Sequence, residues 1–245
     1  MISKKIYALQ FKRKEDFTAN LNNVVGFIER CVRHSIVCTA DLILSGFAFD
    51  RLKEAGEFSK IALEKYLEVT DEKTLITSLI EEIDGEFYNN IKVIKNHTVI
   101  YSQAKTQPFP LNNEEQYMSS GCREDIGFFM IDGIKCAVMN CFELRFVDLW
   151  QRVRGAEVVF ILAQWDKERK HHFEVLSQAL AITNQCFVVA SDCANMGMSK
   201  ASSIISPFGK VCKDGKRGVV CMDIKLEEVK EMRNFLRVGL ESNAK

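Results

Sequence analysis

The chain has 245 residues, 47% of them hydrophobic, enough to build the core of one large α/β domain. Its 33 Lys and Arg residues balance its 33 Asp and Glu residues, so the formal net charge is zero; with no basic run or aromatic-interleaved basic patch, no nucleic-acid partner is expected. Nine cysteines, an odd number with no CxxC pair, predict reduced thiols and a cytoplasmic protein. No apolar run is long enough to span a membrane, and the opening Met1-Ile-Ser-Lys-Lys5 does not read as a cleavable leader.

Residues 6–11 read as a strand. Residues 17–32 carry Leu21, Val24, Val25, Phe27, Ile28, Cys31 and Val32 at helical spacing. Strand-like runs at 36–39 and 42–44 flank Ala40-Asp41. Helices are expected over 58–69 and 75–83, followed by strands over 87–94 and 98–104 joined near Lys95-Asn96-His97. Residues 126–131 and 134–140 predict a hairpin about Asp132-Gly133, a dipeptide suited to positive φ. A short helix over 146–153, a strand over 157–163, a helix over 168–183 and a strand over 186–191 come next. Residues 202–206 and 218–223 read as a late hairpin with Pro207-Phe-Gly209 and Asp214-Gly215 in its loop, and residues 228–236 as a closing helix.

The strand–helix alternation of the second half implies parallel pairing with right-handed crossovers, while the hairpins elsewhere make the sheets mixed. Near-continuous apolar strands are the mark of sheets buried on both faces, consistent with two stacked sheets and helices outside. With three prolines, no linker-like stretch and no repeat, residues 1–245 are expected to form a single domain.

The apolar run after Gly133 stops at Cys141, and the polar turn Phe142-Glu-Leu-Arg145 leads into a helical segment. A thiol at a strand's carboxyl end, beside a cation and before a helix, sits where a nucleophile is useful. Both neighbours lower a thiol's pKa. The alternative is a buried structural cysteine, a common fate for this residue. His171 and His172 are adjacent and so face different ways on a helix, and no metal site or cofactor is expected.

The segment Gly133-Ile-Lys-Cys-Ala-Val-Met-Asn-Cys141-Phe-Glu-Leu-Arg-Phe resembles the nucleophile segment of the nitrilase, or carbon–nitrogen hydrolase, superfamily. So do Gly85-Glu-Phe-Tyr88-Asn89, Lys105, Leu162-Ala-Gln-Trp165 with Arg169 and His172, Ala181-Ile-Thr-Asn-Gln-Cys-Phe-Val-Val, and Ser206-Pro-Phe-Gly-Lys-Val211. They occur in family order over nearly the whole chain, and the Ala-Gln-Trp version is most similar to small bacterial ω-amidase and N-carbamoyl amidohydrolase branches. The resemblance implies a four-layer αββα sandwich and a Cys–Glu–Lys catalytic trio.

Carried onto this chain, the resemblance makes Cys141 the nucleophile and Lys105 the ammonium that holds the oxyanion, with the Phe142 backbone N–H as second donor. Glu114 matches a second family glutamate that orients the lysine, with its neighbour Glu115 an open alternative. Trp165 follows a strand end, where an aromatic suits either a pocket wall or the core. Arg145 is expected to be structural. The departure is at the general base. Counting back from Ser45-Gly46-Phe47 puts Ala40-Asp41 where the family has proline and glutamate. Asp41 is shorter by about 1.5 Å, one C–C bond. It reads either as the base or as a plain turn aspartate, and Asp41→Glu is expected to raise turnover if the correspondence holds.

The implied activity is hydrolysis of a small linear amide or N-carbamoyl compound through a Cys141 thioester, in a homodimer or larger homo-oligomer, with no nucleic acid and no membrane as partner. A catalytically weak scaffold protein is the alternative that Asp41 raises. A redox pair of Cys136 and Cys141 is a third, weakened because five residues along one strand put the two on opposite faces.

Overall fold

The computed structural model describes residues 3–213 and 218–240. Strand β1 (Ser3–Leu9) leads to helix α1 (Phe17–Arg30), which starts where the Asp16 carboxylate accepts the Thr18 and Ala19 backbone N–H groups at 2.9 and 3.2 Å. Its periodic face, with Leu21, Val24, Val25 and Ile28, is buried. Strand β2 (Ile36–Cys38) and helix α2 (Leu52–Val69) follow.

Residues 42–44 are not a strand. Leu42 takes a φ of 42°, its N–H donates to Ser78 Oγ at 2.6 Å, and Gly46 N–H closes the turn on the Leu42 carbonyl at 2.7 Å. The three apolar side chains are buried beneath this turn rather than in the sheet, so hydrophobicity alone misassigned them.

The helix expected over 75–83 is instead part of strand β3 (Thr74–Ile83). It pairs in parallel with β2 on one side and antiparallel with β4 (Glu86–Lys95) along its whole length on the other. Buried on both faces over residues 74–80, it shows no polar alternation, and its apolar positions also satisfy helical spacing. Tertiary pairing decided the outcome. Strand β5 (Thr98–Ala104) completes this side.

Strands β6 (Phe129–Ile131) and β7 (Ile134–Asn140) form the expected hairpin, with φ of 48° at Asp132 and 82° at Gly133. Helix α3 (Val147–Arg152), strand β8 (Val158–Leu162), helix α4 (Lys170–Asn184) and strand β9 (Phe187–Ser191) follow as βαβ units, with β7, β8 and β9 parallel. The late hairpin is corrected. Strand β10 (Ser203–Ile205) turns back onto β11 (Val211–Cys212), whereas β12 (Val219–Lys225) crosses to the other sheet and pairs antiparallel with β1. The inward side chains of β12, Val220 and Ile224, fit the inter-sheet core beside Ile6 and Ala8. Asp214-Gly215, placed in the expected loop, lie outside the described residues. Helix α5 (Glu227–Phe235) ends the described fold.

The two sheets run β12-β1-β2-β3-β4-β5 and β11-β10-β9-β8-β7-β6. Both are mixed, with three parallel strands at the centre. Ile36, Ile76 and Val93 meet Val138, Phe160 and Val189 between them. Helices α1 and α2 cover the first sheet through Val24, Ile28 and Tyr66 against Val37 and Leu75; α3 and α4 cover the second through Leu149, Phe173 and Leu180 against Ile161 and Val188. The result is a single-domain αββα sandwich. Chain leaving the carboxyl ends of β2, β5, β7 and β8 carries Asp41, Lys105, Cys141 and Gln164 to one end of it, the position where ligands bind in such sheets.

Candidate active site

Cys141 follows β7 directly and has φ of 48°, a left-handed conformation that costs an L-residue on the order of 1–3 kcal/mol. The turn 141–145 holds this strain through Glu143. Its buried carboxylate accepts Asn140 N–H at 2.6 Å through one oxygen and Thr106 N–H and Oγ1 at 2.7 and 3.0 Å through the other. Thr106 follows Lys105, so the same carboxylate joins the cysteine turn to the lysine strand.

Lys105 is buried and donates to both oxygens of Glu114, at 2.9 and 2.7 Å. Glu114 is itself fixed by Phe109 N–H at 2.7 Å, while Glu115 is exposed, so of the two glutamates it is Glu114 that faces the ammonium. Burial alone would lower the Lys105 pKa, but Glu114 and Asp41 outweigh it and raise it, so the amine stays charged.

Asp41 is wholly buried. Its backbone N–H donates to the Ala163 carbonyl at 3.2 Å, and its own carbonyl accepts Gln164 Nε2 at 2.5 Å. Oδ1 accepts Ser78 Oγ at 2.9 Å and Asn89 Nδ2 at 3.0 Å; Oδ2 is buried without a hydrogen-bond partner. Burial raises the carboxyl pKa, against the pull of Lys105 and of the Asn89, Ser78 and Asn140 side chains. A buried, unpartnered carboxylate oxygen is a proton acceptor in waiting, since an unmet acceptor otherwise costs about 1–3 kcal/mol or more.

The thiol differs from expectation. Burial pushes Cys141 up to about 12; Lys105 lowers it, and the Asp41 and Glu114 charges raise it again. The cation and the helical turn do not produce a resting thiolate because desolvation outweighs them. Cys136 packs in the inter-sheet core and Cys141 on the helix side of the second sheet, so the two thiols lie on opposite faces.

Cys141 opens onto a cavity of about 170 Å³ walled by Phe47, Phe109, Phe142, Trp165 and Met198. Phe142 stands edge-on to Phe109 at 5.3 Å. Trp165 donates its backbone N–H to Asp192 Oδ1 at 3.0 Å, and its ring packs against Phe173 at 5.4 Å. Burial raises Asp192 to about 6.

A family model for carbon-nitrogen hydrolases matches residues 6–234. The chain belongs to the carbon–nitrogen hydrolase family. It is 30% identical to 2-oxoglutaramate amidase of Bacillus subtilis (strain 168) over 234 residues, covering 89% of each chain. Its fold matches that of Saccharomyces cerevisiae Nit3, a nitrilase-superfamily member, with a TM-score of 0.85 at 17% identity, over 97% of this chain and 95% of that one. An amidase from Nesterenkonia sp. AN1, solved with acrylamide added to its active-site cysteine, matches with a TM-score of 0.81 at 16% identity, over 95% of this chain and 100% of that one. This chain is therefore an enzyme, a hydrolase of carbon–nitrogen bonds, and its relatives include amidases.

The hydrolase also places residues that its sequence did not single out. Ser78, Asn89 and Glu143 position Asp41 and the cysteine turn. Asn89 lies in the segment that carried the family resemblance, but nothing in its spacing marked it as a ligand of Asp41. Arg145, expected to be structural, lines the cavity, with its guanidinium 4.7 Å from the Trp165 ring centroid and 3.0 Å from His172 Nδ1. The two carboxylates nearest to it along the chain are engaged elsewhere: Glu143 as above, and Asp148 by Arg123 at 2.9 Å. Among the described residues no group of three or more His, Cys, Asp or Glu could hold a metal ion.

Proposed function

We propose that this hydrolase cleaves a small linear amide or N-carbamoyl compound through a thioester on Cys141. The observation that carries the reading is the Asp41 carboxylate, with one oxygen tied to Ser78 and Asn89 and the other buried and free, its charge acting on both the Cys141 sulfur and the Lys105 ammonium. Asp41 Oδ2 takes the thiol proton as sulfur attacks the amide carbon. Taking the proton in concert with attack suits a thiol near 12, which no resting thiolate would serve. The oxyanion forms against Lys105 and the Phe142 N–H, which stands in the first turn of its short helix without an intrahelical acceptor. The C–N bond breaks, the proton passes from Asp41 to the departing nitrogen, and ammonia or an amine leaves. Asp41 then deprotonates a water, which attacks the thioester; the C–S bond breaks and the sulfur recovers its proton.

Small linear ω-amides of dicarboxylates and N-carbamoyl amines are the substrates this reading favours. The cavity is small, and the Bacillus subtilis relative is a 2-oxoglutaramate amidase. Self-association is part of the proposal: Ile182, Phe208, Phe235 and Leu236 are exposed, with Phe208 and Phe235 6.4 Å apart, a surface on α4 and the C-terminal segment suited to a second copy. So is a reducing cytoplasm, since all nine cysteines are free thiols, and no helix among the described residues is long and apolar enough to cross a membrane. The test is ammonia release from a panel of small amides, with intact-mass detection of an acyl adduct and Cys141→Ala as control. An adduct on Cys141 and loss of turnover in the control are expected; turnover surviving in Cys141→Ala overturns the proposal.

A further inference from the structure

The proton acceptor and the nucleophile come from different sheets. Asp41 follows β2 of the first, and Cys141 follows β7 of the second. The layer between the sheets is apolar, and such contact has no directional preference. The backbone of Asp41 is fixed by Ala163 and Gln164, which leaves the side chain its own torsions. Ser78 and Asn89 engage only Oδ1.

Asn140 connects the two. It is wholly buried, ends β7 and immediately precedes Cys141. As N-cap of the turn 141–145 it forms a reciprocal box with Glu143, whose carboxylate accepts its N–H at 2.6 Å. Its side-chain Nδ2 donates to Asn89 Oδ1 at 3.2 Å, and Asn89 Nδ2 donates in turn to Asp41 Oδ1 at 3.0 Å. The Asn140 amide also bears on the Asp41 carboxylate itself and favours its charged form. Asn89, in the middle, accepts the Lys105 N–H on its backbone carbonyl at 2.8 Å. The charged and titratable groups facing Asp41 are Lys105, Glu114 and the Cys141 thiol; Ser78, Asn89 and Asn140 are neutral donors. A buried chain of amides fixes geometry because each unmade bond strands a polar group, at about 1–3 kcal/mol.

We propose that Asn140 is a positioning residue that acts through the base: directly and through Asn89, its amide sets the rotation of the Asp41 carboxylate and presents Oδ2 to the sulfur of the next residue in the chain. The inference rests on the reading of Asp41 as base. It accounts for how an aspartate serves where the family has the longer glutamate. With reach fixed, aim decides, and the residue that aims the carboxylate is covalently joined to its target.

The test is steady-state ammonia release from pH 5 to 9 with Asn140→Ser and Asn140→Asp. Serine keeps an oxygen suited to the N-cap but cannot reach Asn89; aspartate keeps the shape and the cap but replaces the donor by a second acid. Asn140→Ser is expected to lose roughly 10- to 100-fold in kcat with KM little changed, the cost of a misaimed group. The acid limb of the profile, set by Asp41, should move to higher pH in Asn140→Ser and further in Asn140→Asp, where a like charge is added. In an Asp41→Asn background Asn140→Ser should cost no more than about threefold, since the two substitutions then remove the same interaction. The isosteric Asn140→Asp carries the pH comparison alone should the serine variant not fold. Wild-type kcat in Asn140→Ser, or an acid limb at the wild-type pH in both variants, overturns the inference. So does a loss of equal size in both backgrounds, which would mean that Asn140 serves only the cysteine turn. Wild-type turnover in Asp41→Asn would instead overturn the base reading on which the inference rests.

Discussion

Replacing Asp41 by Asn tests the proposed chemistry at its most exposed step. Asn is nearly isosteric, and its side-chain oxygen can still accept from Ser78 and Asn89, so the local fold should survive. What is lost is the oxygen that accepts the thiol proton. With the Cys141 thiol near 12, on the order of one molecule in 10⁵ carries a thiolate at pH 7, so unassisted attack is slower by up to that factor. Removing the Asp41 charge also relieves its upward push on the thiol, which returns part of the loss. The expected fall in kcat lies between about 10²-fold, a modest value for general-base loss, and about 10⁵-fold. The pH profile carries the sharper signature. Wild-type turnover should fall as the pH drops through the raised Asp41 pKa, because a protonated carboxyl cannot take the thiol proton, and level off above it. In Asp41→Asn the rate should instead climb about tenfold per pH unit across the neutral range, tracking the thiolate fraction. Stopped-time ammonia assays from pH 5 to 9 make the comparison. A variant that keeps more than about a tenth of wild-type turnover with an unchanged profile would refute the assignment of Asp41 as base.

For Asp41→Glu, packing opposes the gain in reach that the family correspondence implies. The side chain is fully buried and its reach is set by Ser78, Asn89 and the Gln164 bond to its backbone, so an added methylene overpacks the site at about 1–3 kcal/mol; lower turnover and a lower Tm are expected, and higher turnover would show that the aspartate is the short one. Glu114→Gln leaves Lys105 facing Asp41 as its main counter-charge. Drawn towards the base, the amine should cost about 10²-fold in kcat with KM little changed, measured by steady-state kinetics. Asp192 has a folded pKa near 6 against an ordinary 3.8, so its contribution to stability is fully present below pH 4 and is lost as the pH rises through 6. Urea denaturation of Asp192→Asn between pH 4 and 7 should lack that component, worth about 3 kcal/mol; an identical slope would count against it. Phe160→Ala, in the fully buried layer between the sheets, should cost about 3–5 kcal/mol in the same assay.

The second half of the fold was legible because its strands are short, apolar and separated by helices of clear period, and because Asp132-Gly133 is a turn with a conformational reason. The failures share a cause. Residues 75–83 and 42–44 are apolar runs whose state depends on what lies beside them: β3 is a strand because β2 and β4 offer ladders on both sides, and Leu42 turns because the chain leaves the sheet at once after β2. Residues 218–223 were assigned to the nearer partner in sequence, whereas the open edge of β1 lay some two hundred residues away. At the site, Cys141, Lys105, Asp41 and Glu114 could be named from motif order, and the structure sets their side chains or charges against one another. The supporting residues Ser78, Asn89 and Glu143 could not be named, because their role exists only in three dimensions. The direction of the thiol's pKa was misjudged for the same reason: sequence shows neighbouring charges and hides desolvation.

The carboxylate of Glu143 has one further consequence. It clasps the chain leaving the first sheet just past Lys105 and the chain leaving the second sheet at Asn140. If the two layers breathe by sliding, the amine and the sulfur travel as one piece, so their spacing is insulated from motions that the greasy contact between the layers would otherwise permit.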